Sequence, residues 1–151
     1  SSLGLVSYVS LQPHYNMIRR REFEQDLADV VEGYGLGVIP YSPLAGGFLT
    51  GKYRRGGELP ESRRAEAVQR RYFREENFTL LDRMEDIGRA HDKTLPQVAL
   101  AWLLSNPLVT APIIGANTVE QLQASLGAAG FRLDQAELEA IDELISWQKE
   151  M

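Results

Sequence analysis

Tyr8-Val9-Ser10-Leu11-Gln12, stopped by Pro13, and Gly37-Val38-Ile39-Pro40-Tyr41 are two apolar-leaning runs of strand length with an amphipathic stretch between them. From Glu22 to about Glu32 the apolar residues Phe23, Leu27, Val30 and Val31 recur at helical spacing, and Gly33 with Gly35 supplies the stop. A strand, an amphipathic helix and a second strand joined by short connections form the signature of a parallel crossover unit. Such a unit needs helices over its sheet, so this stretch predicts an α/β fold.

Working outward, residues 42 to 77 begin with Ser42-Pro43-Leu44-Ala45-Gly46-Gly47 and continue through Gly51, Gly56, Gly57 and Pro60. That connection is too long to be mere linkage in a compact domain, which predicts a functional loop. Helical periodicity returns at Leu80, Leu81, Met84, Ile87 and Gly88. A further helix is predicted after Thr94, with Pro96 in its first turn, Val98, Ala99, Trp102 and Leu103 inward, and Pro107 closing it. Thr110-Ala111-Pro112-Ile113-Ile114 predicts a third strand, which runs through Gly115-Ala116-Asn117 into a helix from about Val119 to Gly127. Thr118 is its N-cap, and Gln121 stands where a capping box places Glu or Gln. The last helix, Asp134 to Gln148, starts on an aspartate cap and lines up Leu138, Ile141, Leu144 and Ile145. The strand-then-helix rhythm occurs three times without an internal repeat.

The 151 residues, 44% hydrophobic and 25% charged, suit one domain over 1–151 with a real core. With no cysteine there is no disulfide framework, thiol nucleophile or thiolate metal site. A net charge of -5 argues against a nucleic-acid partner. The one basic stretch, Arg63 to Arg74, is broken by Glu66 and followed by Glu75 and Glu76, and is expected to be a solvated loop or helix face. No apolar run nears the roughly 20 residues of a membrane span. Ser1-Ser2-Leu3-Gly4 lacks the regions of a secretory signal, so a cytoplasmic protein is expected. His14 is expected to be a loop histidine, Tyr15 a packed or pocket-lining tyrosine and His91 a helix-end cation. Two isolated histidines give no metal-site spacing.

Four ordered blocks carry a family pattern. They are Ser10-Leu11-Gln12-Pro13-His14-Tyr15-Asn16, then Val38 through Lys52, then Val98-Ala99-Leu100-Ala101-Trp102-Leu103-Leu104, then Pro112-Ile113-Ile114-Gly115-Ala116. In order and spacing they resemble the aldo/keto reductase family over nearly the whole chain. The resemblance implies an eight-stranded parallel (β/α)8 barrel, typically of about 250 residues. This chain would be its C-terminal portion: the last three βα units plus the C-terminal helix, with Leu3-Gly4-Leu5 as the tail of the preceding helix.

Barrel enzymes build their sites at the carboxyl ends of the strands. By resemblance, the Gln12 amide would hydrogen-bond the carboxamide of a nicotinamide, against the plainer role of a polar strand-end residue bonded to local backbone. Tyr41 would stack on the nicotinamide, an offset contact of about 1 kcal/mol beyond area burial. Ser42, Leu44, Gly46, Gly51 and Lys52 resemble the loop that wraps the pyrophosphate, where small residues admit backbone amides and lysine adds charge. Ser62 and Arg63 resemble a pair that closes that loop. Gly115 and Asn117 lead into a helix whose amino terminus suits the adenosine phosphate, and Gln121 matches a position that contacts it. Ala124 and Ser125 depart from the family's glutamate and asparagine at the adenine, and no lysine or arginine occurs between Gly115 and Ser125. The family habit implies NADP(H), with NAD(H) left open because cationic side chains near a 2′-phosphate usually underlie that preference.

The family's catalytic tyrosine, lysine, aspartate and histidine lie on earlier strands. No segment here resembles their motifs, so no catalytic residue is assigned. A barrel cut before its sixth strand would expose two strand edges and inner apolar faces. The expectation is therefore either the retained part of a longer carbonyl-reducing enzyme, acting on a small carbonyl substrate, or a piece that joins a missing N-terminal half or self-associates through its edges. A non-catalytic cofactor-binding or regulatory module is the alternative.

Overall fold

Parallel pairing begins where the first stretch predicts it. β1 (Ser10–Leu11) pairs with β2 (Gly37–Val38), Ser10 opposite Gly37 and Leu11 opposite Val38. In the computed structural model, which describes residue 4 and residues 6–145, the ladder continues beyond both strands. The N–H groups of Gly37, Ile39 and Tyr41 donate to the carbonyls of Val9, Leu11 and Pro13 at 3.0, 2.9 and 3.0 Å. Both partners advance two residues at a time, the even spacing of parallel strands.

The third segment departs from the predicted strand Thr110–Ile114. Val109 makes an isolated parallel bridge to Val38, and the Thr110 and Ile113 N–H groups donate to the carbonyls of Val38 and Pro40, each at 2.8 Å. Donors therefore advance three residues where acceptors advance two. Pro112 has no N–H to offer Pro40, so Ile113 takes its place and the regular ladder fails. The Val38 N–H turns instead to the Thr110 hydroxyl oxygen, 3.1 Å away. The segment lies along β2, on the edge away from β1, but as irregular backbone.

Between β1 and β2, a π-helical segment (Glu22–Leu27) runs into α1 (Ala28–Tyr34), capped by Gly35 at φ 62°. Phe23 and Val31 are buried, whereas Val30 is exposed, because the wider π turn changes the phase of the apolar stripe. The 42–77 connection is partly helical, with a 3₁₀ segment (Ala45–Thr50) and α2 (Ala65–Tyr72). α3 (Glu75–His91), α4 (Leu95–Ser105), α5 (Val119–Leu126) and α6 (Gln135–Ile145) follow. The continuation of the last helix to Gln148, and Leu3 and Leu5 of the tail placed before β1, lie outside the described residues.

α3 packs against α4 and α6, and α4 against α5. The residues predicted inward, Leu80, Leu81, Met84 and Ile87 on α3 and Val98, Ala99, Trp102 and Leu103 on α4, are all buried. The Val, Leu, Ile and Met side chains among them contribute about 1.5–3 kcal/mol each when fully buried. Gly88 lets the chain after α3 cross close by, since a Cβ there would meet the Lys93 carbonyl oxygen at 2.5 Å. Phe48, fully buried, packs among Tyr53, Tyr72, Phe73 and Phe78 with ring centroids 5.5–6.2 Å away. Capping boxes start α4 (Thr94 with Gln97) and α6, where Asp134 Oδ1 accepts from the Glu137 N–H and the Glu137 carboxylate accepts from the Asp134 N–H, both at 2.9 Å. Among the described residues no helix is long and apolar enough to cross a membrane.

Candidate functional site

Gln12 immediately follows β1, and Tyr41 ends the ladder of β2, where it bridges His14 in parallel sense. Both therefore stand at the carboxyl ends of adjacent parallel segments, the position at which α/β folds gather their chemistry. Gln12 is exposed and Tyr41 is 44% exposed. The His14 and Tyr41 rings stack at 4.8 Å with an interplanar angle of 23°, so the two loops that follow β1 and β2 meet through aromatic faces.

A buried asparagine ties those loops together. Asn16 Nδ2 donates to the Ser42 carbonyl at 2.9 Å, and its Oδ1 accepts from the N–H groups of Ile18 and Arg19 at 3.0 and 2.9 Å. Ser42 is thereby held at φ 55°, a left-handed conformation that L side chains rarely adopt. Its hydroxyl accepts from the Gly46 N–H at 3.2 Å. Asn16 belongs to the first quoted motif, but its role as a loop clamp has no signal in the sequence beyond that membership.

The glycine-rich loop owes its shape mainly to the protein's own packing. Gly46, Gly47 and Gly51 take φ values of 66°, 98° and 76°. A Cβ on Gly46 would meet Val68 Cγ2 at 3.2 Å, and one on Gly51 would meet Leu95 Cδ2 at 2.8 Å. The N–H groups of Ala45, Gly47, Leu49 and Gly51 all donate within the loop, to Ser42, Leu44, Leu44 and Phe48. What the loop turns outward is Lys52, which is exposed and whose Nζ lies 5.3 Å from the Tyr53 ring centroid. A Cβ on Gly47 would meet that Nζ at 3.3 Å, so glycine makes the room in which the ammonium lies. Leu44 packs partly buried against the core.

Ser62 and Arg63 are exposed and precede α2. The Ser62 hydroxyl accepts from the Arg64 N–H at 3.3 Å, so it serves the entry to that helix. Gly115, Asn117 and Gln121 are exposed at the start of α5. Thr118 caps the helix by accepting from the Gln121 N–H at 3.2 Å, and Gln121 Oε1 accepts from the Asn117 N–H at 2.9 Å. The reciprocal cap expected of Thr118 and Gln121 is present, displaced by one residue at its amino end. Among the described residues no hydrogen bond joins these three residues to Tyr41 or Lys52.

A cleft of about 1230 Å³ opens beside Tyr41, walled by His14, Arg19, Arg70, Arg71 and Tyr72. Burial, with the charges of Arg19 and Arg71, holds His14 below its ordinary pKa against an opposing contribution from Glu22. Its Nε2 is buried and has no hydrogen-bond partner among the described residues. Tyr15, the neighbouring candidate acid, is packed instead: its hydroxyl donates to Glu24 at 2.8 Å and accepts from Asn106 at 3.1 Å. Burial, then the Glu24 charge, pushes its pKa well above the ordinary value, which suits a structural phenol. His91 ends α3, with Nε2 2.6 Å from Glu137 Oε1.

Tested against a nicotinamide dinucleotide, the half-exposed Tyr41 ring, the exposed Gln12 amide and the Lys52 ammonium over Gly47 fit its ring, carboxamide and phosphates in kind. The engaged amides of the loop leave charge and side-chain groups as what it can offer an anion.

The aldo/keto reductase family model matches residues 2–146. The "Putative voltage-gated potassium channel subunit beta" of Schizosaccharomyces pombe is 36% identical over 95% of this chain and 44% of its own length. An uncharacterized oxidoreductase of Bacillus subtilis is 34% identical over 94% of the chain and 41% of its length. The L-glyceraldehyde 3-phosphate reductase of Escherichia coli is 32% identical over 89% of the chain and 41% of its length. The chain thus spans about two fifths of the length of these relatives. On a match that takes in all four quoted motifs and nearly every residue, the chain belongs to the aldo/keto reductase family.

Proposed function

We propose that the chain is the cofactor-holding C-terminal portion of an NADP(H)-dependent, cytoplasmic aldo/keto reductase that reduces small aldehydes or ketones. The observation that carries this reading is the placement of Gln12 and Tyr41 at the carboxyl ends of two paired parallel segments, with Lys52 on the loop that follows. The cofactor supplies the hydride. Tyr41 offers a face for the nicotinamide, Gln12 a hydrogen-bonding amide for its carboxamide, and Lys52 with Ser42 the charge and hydroxyl for its phosphates. Ser62, Arg63, Gly115, Asn117 and Gln121 complete the proposed contacts on the phosphates and adenosine. The proton-donating machinery belongs to strands that this chain does not contain, so the chain alone is inactive.

Support for an incomplete barrel comes from the β1 side, where Val6, Tyr8 and Val9 are 98%, 89% and 81% exposed. Apolar side chains beside an open strand edge suit pairing with an N-terminal barrel half, or with a second copy. A non-catalytic binding module is the second reading, favoured by the channel-subunit name of the Schizosaccharomyces pombe relative.

Titration with NADPH, followed by fluorescence, tests the proposal, with NADH alongside. Saturable binding that favours NADPH is expected. A folded chain that binds neither nucleotide contradicts it. Turnover of a carbonyl compound after an N-terminal half is supplied favours the enzyme, and cofactor binding without turnover in that complex favours the module.

A further inference from the structure

The cleft beside Tyr41 carries the opposite sign to the molecule around it. The chain has a net charge of -5, yet six arginines line this one concavity, from Arg19 to Arg21 after β1 and from Arg70 to Arg74 at the junction of α2 and α3. Three carboxylates share it: Glu22, Asp26 and Glu76. Arg20 is committed elsewhere, to Glu24 and Asp142. Arg74 lies 3.8 Å from Glu76, and Arg19 lies 3.5 Å from Glu22 with both side chains more than half exposed, contacts that contribute little in water. Arg70 and Arg71 make no ion pair among the described residues.

The cationic groups converge. Arg19, from the loop after β1, and Arg71, from α2, both line the cleft, and the charges of both act on the His14 ring and on the Tyr72 phenol. His14 lines the same cleft, and its Nε2 is buried without a partner among the described residues. Guanidinium groups brought together from separate elements around a concave space repel one another unless an anion joins them, and a phosphate, with its three acceptor oxygens and up to two negative charges, can be shared between two planar forks at once. None of the loop residues assigned to the cofactor phosphates lines this cleft, whereas Tyr41 does.

Building on the assignment of Tyr41 as the nicotinamide platform, we propose that this cleft takes the phosphate-ester group of the carbonyl substrate, held by Arg19 and Arg71, with the carbonyl end toward Tyr41. The substrate class is therefore phosphorylated aldehydes or ketones. Arg70 lies one residue from Arg71 and supplies further positive charge at the cleft wall, which His14 also lines.

Inorganic phosphate and methyl phosphate, titrated calorimetrically into the 151-residue chain, test this, with the His14 ring followed by NMR. Saturable binding of both is expected, with the His14 titration moved to higher pH in the complex because a bound anion offsets the arginines. Arg71→Gln should weaken binding at least tenfold and Arg71→Lys should restore part of it, while NADPH affinity stays unchanged in both. Arg71 is exposed, so these variants keep the core intact, and Arg19→Gln gives an independent check from the other wall. Phosphate affinity that ignores both glutamine variants overturns the proposal, as does a parallel loss of NADPH affinity, which would give the cleft to the cofactor. Methyl phosphate binding without NADPH binding would sink the cofactor reading alone. NADPH binding without methyl phosphate binding would sink the phosphate site alone.

Discussion

α3 and α4 bury Leu80, Met84, Val98 and Leu103 completely, whereas the β1 side leaves Val6, Tyr8 and Val9 almost wholly exposed. The same kinds of apolar side chain meet packed helices in one region and solvent in the other. Helices can satisfy their backbone alone and need only a partner for one face, so the C-terminal helices close a core around themselves and the Phe48 cluster. A parallel strand depends on neighbours at both edges, and among the described residues β1 has one, β2. Stability is thereby concentrated in the helical region, and the strand ends are free to carry Gln12, Tyr41 and the loops after them.

The sharpest way to break this contrast is to damage each region and compare. Phe48→Ala, in the centre of the aromatic cluster, should cost about 3–5 kcal/mol of stability, read as a lowered urea midpoint. Gly51→Ala should cost about 1–3 kcal/mol, because it combines a positive φ with a Cβ driven against Leu95. Val9→Thr, on the open edge, should change stability by less than about 0.5 kcal/mol. If Val9→Thr proves as damaging as Gly51→Ala, the β1 side is covered in solution and the contrast between the regions is wrong.

The crossover from Tyr8 to Tyr41 was legible because its signals are local: periodicity, a glycine stop and a proline limit. α3, α4 and the caps of α5 and α6 were legible for the same reason. The third strand was not, although Pro112 was in view. A proline inside a strand-like run forbids a regular ladder, and here it converts Thr110–Ile114 to irregular backbone that still lies along β2. α2 was hidden because Ala65, Val68 and Tyr72 are its only buried residues, set within a run whose charge suggested a solvated face. At the proposed site, Tyr41 and Lys52 are reached by motif alone. That Gly46 and Gly51 make room for Val68 and Leu95, and that Arg19 and Arg71 act on the same ring, depends on tertiary approach between segments far apart in the chain, which no local pattern encodes.

On the proposed function, cofactor binding sits at the strand ends and is separable from the helical core. Measuring NADPH affinity and the urea midpoint together on the wild-type chain and on Tyr41→Ala tests it most directly. Saturable binding by the wild type is expected, with its loss in Tyr41→Ala and a midpoint lowered by no more than loss of the His14 stack accounts for, about 0.5–1.5 kcal/mol. A Tyr41→Ala chain that binds NADPH as the wild type does, or a folded wild type that does not bind it, would contradict the claim.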